Sequence, residues 1–195
     1  MLKPAMEALG TELQEYEQSP QIAENTSLYT SSSGRTTSTN TFVGALSLLE
    51  RYCYDDRYGE NTLSLIIEST RKISSYHSVG GAQEVVEAGS GRKFLIVVVK
   101  STHTGHKSDG KRYTVTTPDP KAFKLIYYDT QYSPMSVPAT TSVGTSYKLT
   151  TLNRYESVKG YLFFDIPATL EVTDAYLQAD LGTAGKPVWN LRNIL

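Results

Sequence analysis

The chain is poor in cysteine and tryptophan, and it has almost no net charge. Its single cysteine, Cys53, stands in 195 residues. No intramolecular disulfide can form, so a disulfide-stapled scaffold is excluded, as is a closed structural zinc set built on cysteine. Basic and acidic side chains number 19 and 20, for a net charge of -1. No basic field draws phosphate, so nucleic acid is not an expected partner. No stretch approaches the roughly 20 apolar residues of a membrane span. The opening MLKPAMEALGTELQEYEQ lacks the basic start and apolar run of a signal peptide, and acids come early at Glu7 and Glu12. P-loop, G-x-G-x-x-G and G-x-S-x-G patterns are also missing.

What is abundant is tyrosine, with fourteen against five phenylalanines and one tryptophan. Tyrosine suits half-buried strand positions, where the ring packs and the hydroxyl stays wet. The length is ample for one domain with a real core and short for two.

Leu2, Met6, Leu9, Leu13 and Tyr16 recur at helical spacing, which predicts a marginal helical segment within residues 1–26. Gly10 weakens it by about 1 kcal/mol. Residues 27–41, SLYTSSSGRTTSTNT, carry ten Ser or Thr in fifteen positions and read as a linker, either a plain flexible one or a surface stalk. Asn25-Thr26-Ser27 matches a glycosylation sequon. Residues 42–57 form a lead-in, with Val43, Leu46, Leu49 and Tyr52 compatible with a short helix or a first edge strand. The helix is preferred.

From Tyr58 onward the pattern is that of strands. Leu63, Leu65, Ile66 and Ile67 fall in one, and Val85 and Val86 in a short second. Phe94 to Val99 is a continuous apolar run between turns, the mark of a central strand covered on both faces. Thr102 to Gly110 reads as a polar loop. Strands follow over Tyr113–Thr117, Phe123–Tyr128, Tyr147–Leu152, Lys159–Ile166, Ala175–Ala179 and Val188–Leu191. Pro134 and Pro138 keep their segment out of any central strand. Phe163 and Phe164 cannot both face the core of a one-sided sheet, so their strand is covered on both faces or twisted at a bulge. Eight to ten short strands with no intervening helix predict an all-β antiparallel sandwich over residues 58–195. Phe94, Ile96, Val98, Leu125, Leu162, Phe164 and Leu177 are its expected core, with Val97 and Val99 largely covered.

Several segments carry a familiar order of features. GRKFLIVVVKSTHTG supplies a glycine-lysine-phenylalanine-hydrophobic strand. In PDPKAFKLIYYDTQYSP, Phe123, Leu125, Asp129 and Tyr132 hold a recurring pattern, with Gln131 where a turn glycine is usual. In RYESVKGYLFFDIP, Gly160, Leu162, Phe164 and Pro167 hold another. Together with DAYLQADLG and PVWNLR, these resemble the domain of unknown function (DUF) 4352 family over about Tyr58 to Arg192. The resemblance implies an immunoglobulin-like sandwich on exported or lipid-anchored bacterial and archaeal proteins. It implies an extracellular or cell-envelope setting and brings no catalytic residues. The lipobox cysteine of many relatives is missing, since Cys53 sits in RYCYDD.

Candidate chemistry is sparse. His103, His106 and Asp109 could ligate a metal, but their spacing is no standard signature and a solvated loop is the default reading. Asp55, Asp56, Glu60 and Asn61 surround Gly59 and could offer oxygens to calcium, yet the EF-hand order is missing and an acidic turn explains them. Cys53, His77 and Ser90 stand in no nucleophile motif, and Glu156 with Asp165 is one carboxylate pair among many. The expectation is no catalytic residue, no metal and no cofactor. Tyr127, Tyr128, Tyr132 and Tyr155 are the candidate interaction surface, because rings give large contact area at low entropy cost. The predicted role is a non-catalytic surface or secreted adhesion module with an unknown macromolecular partner. The alternative is a small-ligand or enzymatic site built from the sandwich loops.

Overall fold

The structure, a computed structural model, describes residues 42–79, 84–107 and 113–192. The helical segment expected over 1–26 and the Ser/Thr-rich linker over 27–41 lie outside the described residues.

The strands, in chain order, are β1 Arg51–Asp55, β2 Asn61–Ile73, β3 Ser75–His77, β4 Val85–Glu87, β5 Arg92–His106, β6 Thr114–Thr116 and β7 Phe123–Tyr127. They continue as β8 Thr130–Tyr132, β9 Thr140–Thr141, β10 Gly144–Thr145, β11 Thr151–Asn153, β12 Ser157–Pro167, β13 Ala175–Ala179 and β14 Val188–Asn190. Two four-stranded antiparallel sheets result, ordered β1-β2-β5-β12 and β14-β13-β7-β8. The small pairs β3-β4, β6-β11 and β9-β10 lie outside them. The fold is an all-β antiparallel sandwich, as the strand pattern predicts.

Alternation of side chains explains the main core. Leu95, Val97 and Val99 of β5 point inward, beside Leu65 and Ile67 of β2 and Leu162, Phe164 and Ile166 of β12. The second sheet answers with Phe123, Leu125, Leu177 and Trp189. The other face of β5 and β12 is also covered. Phe94, Ile96 and Phe163 pack with Tyr76 of β3 in a separate cluster, flanked by Met135 and Val137. Burial on both faces is why Phe94–Val99 has no polar break, and why Phe163 and Phe164 are both buried. All nine expected core residues are buried. A register shift between Ile67 and Ser69 bulges β2 at Glu68, whose carboxylate meets Lys159 of β12 at 2.5 Å.

Three expectations need correction. The lead-in over 42–57 contains turns and strand β1 where the helix was preferred. Tyr52 and Tyr54 alternate with Arg51, Cys53 and Asp55, so a two-residue period outweighs the helical spacing once β2 offers a partner edge. The sandwich therefore begins before Tyr58; Leu46 bridges to Trp189, and Trp189 Nε1 donates to the Glu50 carbonyl at 3.0 Å. The polar loop expected from Thr102 is instead the end of β5, held through His106 by its partner β2. Over Tyr147–Leu152 only Thr151 and Leu152 are in a strand, because the chain at Tyr147 meets β12 at a single parallel bridge, Ser146 to Tyr161.

Candidate ligand-binding cleft

A cleft of about 960 Å³ opens at the end of the sandwich where β1 turns into β2. Its walls are the turn Asp55–Tyr58, strand β6, the approach to β7 at Asp119 and Ala122, and the turn after β13 from Asp180 to Ala184. Tyr54 and Leu63 also line it. Tyr58 and Tyr113, 44% and 60% exposed, bring two aromatic rings to it. Thr114, Thr116 and Thr183 add hydroxyls.

Four aspartates line the cleft, and each is already held by the fold. Asp55 pairs with Lys107 at 2.6 Å. Asp56 closes the β1–β2 turn, accepting from the amides of Tyr58, Glu60 and Asn61 and from Asn61 Nδ2 at 2.7 Å. Burial alone would raise its carboxyl, but these hydrogen bonds outweigh burial and hold it below the ordinary carboxylate value. Asp119 accepts from the Lys121 amide at 2.8 Å and starts the short 3-10 turn Pro120–Ala122. Asp180 accepts from the Gly182 amide and pairs with Lys186 at 2.7 Å. Its carboxyl is lowered chiefly by the Lys186 contact. Arg57 lies over the Tyr58 ring, 4.5 Å from its centroid. The cleft therefore presents rings and hydroxyls, with Asp55 and Asp180 in ion pairs and Asp56 and Asp119 engaged by amide donors. Burial, reinforced by Tyr147, pushes the Tyr54 phenol above its ordinary range.

Beside the cleft is a polar chain. Asn61 Oδ1 meets His106 Nδ1 at 3.0 Å, and the His106 ring lies 5.3 Å from that of Tyr113. His103, expected in a solvated loop, is fully buried, with Nε2 against the Gly105 carbonyl at 3.2 Å. Alternation along β5 turns it inward two residues after buried Ser101. Asp109 lies outside the described residues. Among the described residues no group of three or more His, Cys, Asp or Glu is arranged to hold a metal.

No known family profile matches the chain, and no curated protein matches it in sequence. Its fold, however, has solved counterparts. The secreted protein MPT63 of Mycobacterium tuberculosis superposes with a TM-score of 0.50 at 15% identity, covering 75% of this chain and 97% of that one. The yjhA protein of Bacillus subtilis gives 0.50 at 14% identity, covering 75% and 99%. At these identities the likeness is one of fold.

The tyrosines predicted as one surface are divided. Tyr127 and Tyr132 are half-buried and pack on the main core. Tyr128 stands in the β7–β8 turn at φ 48°, its ring 4.5 Å from that of Tyr127. Tyr155 is 67% exposed in the β11–β12 turn, where its amide donates to the His103 carbonyl near the end of β5. Tyr132 lies toward Arg92, at the opposite end of that 15-residue strand. The carboxylates imagined as a pair are also apart. Glu156 accepts from the Asn153 amide before β12 begins, and Asp165 pairs with Arg92 near its end. Cys53 is exposed on β1, while His77 lies on β3 outside both large sheets. Ser90 is part of the turn closed by the Arg92 amide and the Gly89 carbonyl. Sequence reading missed Tyr54, Tyr58 and Tyr113. The available signal was an aromatic at each border of a polar turn: Tyr54 and Tyr58 around Asp55–Arg57, and Tyr113 before the alternating Thr114–Thr116.

Proposed function

We propose that this protein is a non-catalytic binding module working outside the cytoplasm, secreted or held at the cell envelope, with the β1–β2 cleft as its binding site. The immunoglobulin-like character and the setting rest on the resemblance to the DUF 4352 family. The Ser/Thr-rich segment and the fold shared with a secreted mycobacterial protein agree with it. The observation that carries the reading is the chemistry of the cleft. It sets the exposed rings of Tyr58 and Tyr113 beside threonine hydroxyls, while its four aspartates are engaged within the fold. Rings that stack and hydroxyls that exchange hydrogen bonds suit a neutral, hydroxyl-rich ligand, a saccharide chain. Carboxylates committed to turns and ion pairs are poorly placed for acid–base work.

A glycan array followed by calorimetric titration tests this. One or more glycans should bind saturably, and Tyr113→Ala should weaken that binding by about tenfold or more, the loss of one stacking contact. An array without a saturable hit, or a hit indifferent to both Tyr58→Ala and Tyr113→Ala, would refute the saccharide reading.

A further inference from the structure

A second groove, of about 470 Å³, lies along β12 and shares Asp119 with the cleft. Its floor is apolar, with Met135, Val137, Tyr161 and Phe163, and Leu149 at its rim is 53% exposed. Two lysines, Lys121 and Lys148, also line it and are exposed. Lys107, Lys124 and Lys72 give their ammonium groups to a carboxylate, a hydroxyl and a carbonyl. Among the described residues, the ammonium groups of Lys121 and Lys148 have no such partner. The one acid beside them, Asp119, spends an oxygen on the Lys121 amide.

We propose that this groove binds a single-chain anionic amphiphile, with the acyl chain on the Met135–Phe163 floor and the anionic head between Lys121 and Lys148. Charge complementarity sets the sign of the head. The backbone sets the nature of the tail. A peptide docking here by strand addition would need an open strand edge, and β12 has none to offer. One edge is paired with β5, and on the other the Phe163 carbonyl accepts from the Met135 amide at 2.8 Å and the Tyr161 carbonyl from the Tyr147 amide at 3.0 Å. A hydrocarbon chain makes no backbone demand and gains from apolar burial alone. The volume falls in the range of ligand sites, about 300–1,000 Å³.

The test is calorimetric titration of the full chain with dodecanoate, decanoate and dodecyltrimethylammonium, each below its micelle concentration. Dodecanoate should bind one per chain. Decanoate, two methylenes shorter, should bind about tenfold more weakly, and the cationic soap should not bind saturably. Lys121→Gln with Lys148→Gln, both surface changes, should weaken dodecanoate about tenfold or more while leaving the melting temperature unchanged. Val137→Asp should weaken it with both lysines intact. Equal binding of the cationic soap, an affinity independent of chain length, or indifference to the double lysine change overturns the proposal. So does saturable binding of an acidic leucine-containing peptide with none of dodecanoate.

Discussion

Gly160 and Tyr147 lie so close that a Cβ on Gly160 would stand 2.5 Å from the Tyr147 Cα. The Tyr147 amide donates to the next carbonyl along, that of Tyr161, at 3.0 Å, so the adjoining chain is fastened where the glycine admits it. The same approach puts the Tyr147 hydroxyl 2.7 Å from Ser101 Oγ inside the sandwich. Gly160→Ala must push backbone away from backbone. It should cost about 1–3 kcal/mol, the usual range for overpacking. Urea unfolding followed by the fluorescence of the single, fully buried Trp189 reads it directly.

Phe163 and Phe164 should be about equally expensive to truncate, although they point to opposite faces of β12. Phe164 belongs to the main core and Phe163 to the outer cluster with Tyr76 and Phe94. Each alanine substitution is expected to cost about 3–5 kcal/mol. A loss under about 1 kcal/mol at Phe163 would mean that the β3–β4 pair does not cover that face in solution.

Asp56 should make the protein acid-sensitive. Its carboxyl is lower in the fold than in the unfolded chain, because four hydrogen bonds to Tyr58, Glu60 and Asn61 outweigh the opposing effect of burial. A lowered carboxyl contributes stability that is present above its unfolded value, near 3.8, and lost as pH falls through the folded one. Asp56→Asn removes this titration. Its urea midpoint should fall less steeply than that of the parent between about pH 5 and pH 2.

At the alkaline end the sign reverses. Burial, then the neighbouring Tyr147, raises the Tyr54 phenol, and burial raises Tyr147 against the hydrogen bonds of Ser101 and Thr117. The unfolded chain therefore loses these protons first. Their contribution is intact below the unfolded tyrosine value of about 10 and declines as pH rises through the folded values. Tyr54→Phe should flatten the fall in urea midpoint between about pH 9 and pH 11.

The sandwich was legible in the sequence because its evidence is local. Alternation, proline punctuation and the unbroken run Phe94–Val99 report which strands are covered on one face and which on two. That physics decided the class of fold and all nine expected core residues before any contact was known. The lead-in was misread for a related reason. Leu46, Leu49 and Tyr52 satisfy helical spacing, while the pairing that makes Arg51–Asp55 a strand comes from β2, whose edge is no property of the lead-in itself.

The candidate sites were set by tertiary structure. Tyr54, Tyr58, Tyr113 and Asp180 are scattered along the chain and share a cleft only because β1, β6 and the turn after β13 end at the same place. Lys121 and Lys148 rim one groove only because the chain at Tyr147 closes onto β12 at Gly160. His103 reads as a loop residue and is buried, since the β2 edge carries β5 through it. Periodicity is a property of neighbours in sequence. A binding site depends on which strand ends and turns meet in space, and here the pairing of distant strands settled that.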